Sequence, residues 1–99
     1  MSTTICEIAA RLAQSRRAVA FTGAGISTES GIPDFRSPGG IWQKSQPVYF
    51  HDFLERPEAR LEYWRQKASA HRDFAGALPN AAHRALAEWE AAGRLRGVI

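Results

Sequence analysis

The feature that most narrows the fold is a junction. Four apolar residues, Ala18 to Phe21, run directly into Thr22-Gly23-Ala24-Gly25. A short unbroken apolar run bounded by turn residues reads as a buried strand of a parallel sheet. Glycines directly behind such a strand remove the Cβ atoms that would hold a ligand away from the backbone. The helix start that follows offers N–H donors and a positive dipole end. Ser27 and Thr28 add hydroxyls. Taken alone, Gly23-x-Gly25 fits two uses, a phosphate cradle or a structural tight turn. The dinucleotide fingerprint G-x-G-x-x-G is incomplete, since Thr28 stands at its third glycine. No Gly-Lys-Ser/Thr follows to make a nucleoside triphosphate loop.

The flanking elements follow from caps and periodicity. Ser2, Thr3 and Thr4 predict the start of a first helix, with Ile5, Ile8, Ala9 and Leu12 on one face and its end near Ser15. A short helix is predicted from Ile26 to Ser30, stopped by Gly31 as a left-handed cap. Three prolines and two glycines make 32–47 a loop. Tyr49 to Leu54 predicts one or two helical turns, and Pro57 opens the next helix, with Leu61, Trp64 and Ala68 as its apolar face. His71 to Leu78 reads as a connector. Asn80 then caps a helix that buries Ala82, Leu86 and Trp89 and ends at Gly93. Leu95 to Ile99 begins a second strand. Helix, strand, helical crossover, strand is the opening of a parallel α/β sheet. Two parallel strands cover little core, so the chain is expected to be the front portion of a larger protein.

Bulk properties exclude other classes. With 99 residues, 44% hydrophobic and 23% charged, the chain suits one small globular domain and not a disordered segment. The net charge of +3 is scattered, and Arg16-Arg17 is its only adjacent arginine or lysine pair, so no nucleic-acid arm is expected. The single cysteine, Cys6, forms no internal disulfide and no four-ligand zinc site, and its neighbours Ile5, Ile8 and Ala9 predict a buried helix position. No apolar run approaches the ~20 residues of a membrane span, and the first dozen residues hold no signal-peptide block, so a cytoplasmic protein is the expectation.

The longer string is far more specific than its glycines. G-A-G-I-S-T-E-S-G-I-P-D-F-R, Gly23 to Arg36, resembles the signature of the sirtuins, the NAD-dependent protein lysine deacylases. S-P-G-G-I-W, Ser37 to Trp42, and P-N-A-A-H-R-A-L, Pro79 to Leu86, are also similar to that family. The resemblance implies an incomplete Rossmann-like domain (about 1–43 and 79–99) with the helical part of a smaller module (about 44–78). It implies Gly23, Ala24 and Gly25 against the NAD pyrophosphate, with Thr28 nearby. Phe35 would cover the nicotinamide end, and Arg36 would hold the phosphate–ribose portion. Asp34 belongs to the same loop, where bracing of backbone amides is the expected role of a short acidic side chain. NAD would be consumed as a co-substrate, giving nicotinamide, free lysine and acyl-ADP-ribose. The partner would be an acyl-lysine protein or peptide.

The family's T-Q-N-I-D segment, its general-base histidine and its four zinc cysteines have no counterpart in these residues. His51, His71 and His83 stand in the wrong context for the base; His83, beside a helix start, is expected to pack or hydrogen-bond. No catalytic or metal-ligating residue is therefore assigned, although the family carries zinc. In Glu62-Tyr63-Trp64-Arg65, Glu62 occupies the place where sirtuins preferring acidic acyl groups carry tyrosine, and an acid there would repel a succinyl carboxylate, which favours an acetyl-lysine substrate. Two other expectations stand beside the deacylase: a non-catalytic NAD or ADP-ribose binding module, and an inert truncated fragment.

Overall fold

A computed structural model describes residues 2–99 of the chain. They form two compact units: 2–26 with Pro79–Ile99, and Ser27–Leu78.

The first unit holds α1 (Thr3–Gln14), β1 (Val19–Ala20), α4 (Ala81–Ala91) and β2 (Gly97–Val98); α2 (Phe50–Glu55) and α3 (Pro57–Phe74) belong to the second. Ser2 caps α1 through its hydroxyl, which accepts the Ile5 N–H at 3.2 Å, and the helix stops before Ser15 as its spacing predicts. β1 and β2 pair in parallel, Val19 opposite Gly97 and Ala20 opposite Val98. The ladder continues beyond the strands: Arg96 N–H donates to the Ala18 carbonyl at 2.8 Å, Ile99 N–H to Ala20 at 2.8 Å and Thr22 N–H to Ile99 at 2.6 Å. The glycine turn therefore leaves the sheet directly after a paired residue.

Asn80 caps α4, and Gly93 ends it with φ +76°. There the Gly93 N–H donates to Glu90 and the Arg94 N–H to Trp89, the two bonds of a Schellman motif, which needs a left-handed residue that glycine adopts at little cost.

Burial departs from the sequence reading. The one buried apolar side chain among the described residues is Leu95, 7% exposed. Val19 and Phe21, expected inside a two-faced sheet, are exposed, Phe21 to 86%. Ile5, Ile8 and Cys6 are exposed, as are Ala82 and Trp89 of α4, whereas Leu86 is half-buried as expected, together with His83 and Ala85. The cause is common to all. α1, the end of α4 and Leu95 line an apolar groove of 530 Å³, and among the described residues the sheet has only two strands. A periodic pattern marks which face wants cover; it takes a second layer to bury it.

In the second unit Pro57 occupies the first position of α3, where its missing N–H is no loss. The helix runs on through His71, Arg72 and Asp73 to Phe74, so the predicted connector shortens to 75–80. His71 and Arg72 suit the negative end of a helix dipole, and no glycine intervenes before Gly76. Leu61, Trp64 and Ala68 are exposed, whereas Ala59, Tyr63, Gln66 and Ala70 are half-buried, so the inward face of α3 is offset from the expected one. Tyr63 makes the packing contact with α2, edge-on to Phe53 at 5.2 Å between ring centroids. Arg60 closes the same corner by donating to the carbonyls of Phe53 (2.9 Å) and Leu54 (3.1 Å) at the end of α2.

Glu62 accepts from the Arg65 guanidinium and from Gln66, whose amide also donates to the Gln46 carbonyl at 2.8 Å. The Arg65 bond chiefly, and the Gln66 bond next, lower the Glu62 carboxyl from 4.5 to about 2. A depressed acid stabilises the fold above its unfolded value and loses that contribution as pH falls. Titration of the Glu62 side-chain carbon by NMR should therefore show a midpoint near pH 2 at low salt, returning towards 4.5 in Arg65→Met. A midpoint near 4.5 in the unaltered chain would contradict the pairing.

Candidate functional site

The segment from Gly23 to Trp42 is built from three successive devices. The first is the short helix predicted to end at Ser30; it is of 3₁₀ type and starts two residues before Ile26, covering Ala24–Ser30. It begins where the Ile26 N–H donates to the Gly23 carbonyl at 3.2 Å. A Cβ placed at Gly23 or Gly25 would meet nothing within 4 Å. The space over both glycines is therefore open, as a backbone that receives a ligand requires.

The second device is the stop. Gly31, at φ +87°, donates to Thr28, and Ile32 donates to Ser27, a second Schellman pair. The left-handed cap expected at Gly31 is thus present.

The third is a tight turn, Ser37-Pro38-Gly39-Gly40. Gly40 N–H donates to the Ser37 carbonyl at 2.7 Å, and Gly39 has φ +80°. Proline followed by a left-handed glycine is the signature of a type II turn. On either side, Ile41 N–H donates to Asp34 (2.8 Å) and Trp42 N–H to Phe35 (3.0 Å), closing 34–42 like a hairpin. Gln43 tightens it by accepting the Gly39 N–H at 2.8 Å. Asp34 is spent on this loop: its carboxylate accepts the Ser37 N–H at 3.2 Å and the Ser37 hydroxyl.

This frame presents Phe35 and Arg36. Phe35 is 38% exposed, with its ring 5.0 Å from that of Trp42 and tilted by 31°. Asp34, Phe35, Arg36 and Trp42 line a cavity of 440 Å³. Trp42, which closes the Ser37–Trp42 string, forms a wall of this cavity. Its signal is its position just after a Pro-Gly-Gly turn, which returns the chain to Phe35. Gly23, Ala24 and Gly25 lie in the first unit, and Thr28, Asp34, Phe35 and Arg36 in the second.

Asn80 and His83 were read as helix-start residues, and both are. Asn80 Oδ1 accepts the N–H groups of Ala82 and His83, while His83 Nδ1 accepts the Asn80 N–H at 3.0 Å. His51 pairs with Glu55 at 3.2 Å on the surface of α2. Among the described residues no group of three or more His, Cys, Asp or Glu side chains comes together to hold a metal ion. No helix there is long and apolar enough to cross a membrane.

A parallel strand followed by an open glycine turn and an aromatic–arginine loop belongs to an α/β protein. The Sir2 family model matches residues 23–99. An NAD-dependent protein deacetylase of Rhodopseudomonas palustris is 46% identical over the whole chain, which spans 39% of that protein. One from Thermodesulfovibrio yellowstonii is 52% identical over 86 residues, 87% of this chain and 34% of the relative. A Sir2 structure solved with a deacetylated p53 peptide and 3'-O-acetyl ADP-ribose superimposes with a TM-score of 0.79 at 43% identity, covering 95% of this chain and 38% of that one. A Sir2 homologue bound to ADP-ribose gives 0.76 at 36% identity, over 99% of this chain and 38% of that one. The chain belongs to the Sir2 family. Its fold is accordingly a part of the Rossmann-like α/β architecture, spanning little more than a third of the length of these relatives.

Proposed function

We propose that this chain is the NAD-binding front part of a Sir2-type protein lysine deacetylase, working on acetyl-lysine proteins or peptides in the cytoplasm. The observation that carries the reading is the run from Gly23 to Arg36, which lies within the family match and combines open glycines with a braced aromatic–arginine loop. Gly23, Ala24 and Gly25 receive the pyrophosphate, with Thr28 beside them. Arg36 holds the phosphate–ribose portion as a charged donor, and Phe35 shields the nicotinamide end from water. Asp34 serves by bracing the turn that presents both. NAD supplies the reaction with a ribose carbon that an acyl oxygen can attack as nicotinamide departs.

Residues 1–43 and 79–99 are assigned to the Rossmann-like part, and 44–78 to the smaller module. The zinc expected of the family does not fit the residues present, because Cys6 is the single cysteine and stands on α1. Glu62 engages Arg65, which leaves that guanidinium committed rather than open to a second carboxylate, and this favours acetyl over acidic acyl groups. For the 99 residues by themselves, binding without turnover is the supported activity. His83 is held in a helix cap and His51 lies against Glu55 on the surface of α2, so neither is placed as a base.

Two measurements test the reading. Within a complete Sir2 domain, the chain should release nicotinamide from NAD in the presence of an acetyl-lysine peptide; no release with any acyl-lysine peptide would overturn the enzymatic assignment. In titrations of ADP-ribose, Arg36→Ala should weaken binding by about tenfold to a hundredfold, the worth of a charged hydrogen bond. Unchanged affinity would remove Arg36 from the site.

A further inference from the structure

Asn80 uses both ends of its amide. Its Oδ1 accepts the Ala82 N–H at 2.9 Å and the His83 N–H at 3.3 Å. Its Nδ2 donates to the Ile26 carbonyl at 2.7 Å, from 54 residues further along the chain. The amide's orientation follows from its partners: two backbone N–H groups need the oxygen, so the nitrogen faces the carbonyl. His83 locks the same residue from the other side through the Asn80 N–H.

The carbonyl so held belongs to the glycine turn. Ile26 follows Gly25, and its own N–H closes on Gly23. A Cβ at Gly23 or Gly25 would touch nothing within 4 Å, so the space beside both glycines is open. A backbone that must leave room for a ligand needs a polar hold from behind, and Asn80 provides one.

We propose that Asn80 is a positioning residue for the ligand-binding turn. By fixing the Ile26 carbonyl it sets the Ile26–Ser27 peptide plane at the exit of the glycine turn, so the cap of α4 is tied to that turn. The ligand whose placement depends on it is the diphosphate of NAD or ADP-ribose, and in this the inference rests on the functional reading above.

Asn80→Asp separates the two duties. Aspartate caps a helix as well as asparagine does, but it brings a carboxylate oxygen against the Ile26 carbonyl and has no donor there. Asn80→Ser keeps a capping oxygen, removes the donor without repulsion, and serves if the aspartate variant folds poorly. The expected result is a melting temperature close to that of the unaltered chain, displaced amide resonances for Ser27, which shares the Ile26 carbonyl's peptide, and for Gly25 and Ile26 before it, and ADP-ribose binding weaker by about tenfold for Asp, with a smaller loss for Ser. Unmoved amides, or moved amides with unchanged affinity, would overturn the positioning role. If the unaltered chain shows no saturable ADP-ribose binding, the functional reading falls instead, and the amide shifts alone decide whether Asn80 orients the turn.

Discussion

Gly40→Ala is expected to force apart the loop that carries Phe35 and Arg36. A Cβ at Gly40 would stand 2.8 Å from the Ser37 carbonyl oxygen and 2.9 Å from both the carbon and the oxygen of the Phe35 carbonyl. All three are backbone atoms, so no rotamer change relieves the clash. The Phe35 carbonyl is also the acceptor for the Trp42 N–H, and Ser37 is the acceptor that closes the type II turn. One added methyl group therefore pushes on both bonds that shape the cavity wall. Overpacking of this kind costs about 1–3 kcal/mol. That is a large share of the stability of a chain whose described core is Leu95. The measurements are the melting temperature, the amide resonances of Ile41 and Trp42, and ADP-ribose affinity. Melting should fall by several degrees, about 4–8 °C per kcal/mol for a domain of this size. A variant with the original melting point and unmoved Trp42 amide would show that the close approach is not needed.

Gly25→Val should have the opposite profile: a folded chain that has lost its ligand. Gly25 is absent from the glycines with positive φ, and a Cβ there meets nothing within 4 Å, so neither backbone strain nor packing opposes the side chain. On the proposed reading, the branched group would instead fill the space assigned to the phosphates. Loss of two charge-assisted hydrogen bonds, at about 1.5–3 kcal/mol each, predicts a hundredfold or greater rise in the ADP-ribose Kd. Melting should change by only a few degrees. Retained affinity would place the pyrophosphate elsewhere. The pair of variants distinguishes two reasons for glycine: Gly40 makes room for the protein's own backbone, Gly25 for something else's.

Most local structure was legible. Ser2, Asn80, Pro57, Gly31 and Gly93 each mark a helix end by a chemistry that acts within one turn, and each is found at such an end. The Pro-Gly-Gly turn is equally local. The cavity wall was legible only in part, because Phe35 and Arg36 stand in the quoted motif whereas Trp42 enters through hydrogen bonds that bring 41–42 back to 34–35. Asn80 was legible as a cap and not as a brace, since its second bond spans 54 residues.

The sequence by itself determined the order of elements, their caps, the glycine turn behind β1 and the family to which the chain belongs. These depend on residue identity and on contacts between near neighbours. Only the tertiary structure decided which face of α3 turns inward, that Phe21 and Trp89 stay exposed, that Gly40 rather than Gly39 faces a steric wall, and that the Ile26 carbonyl is held by Asn80. Each of those depends on what lies across space from a residue, and periodicity records a preference for cover without naming the element that supplies it.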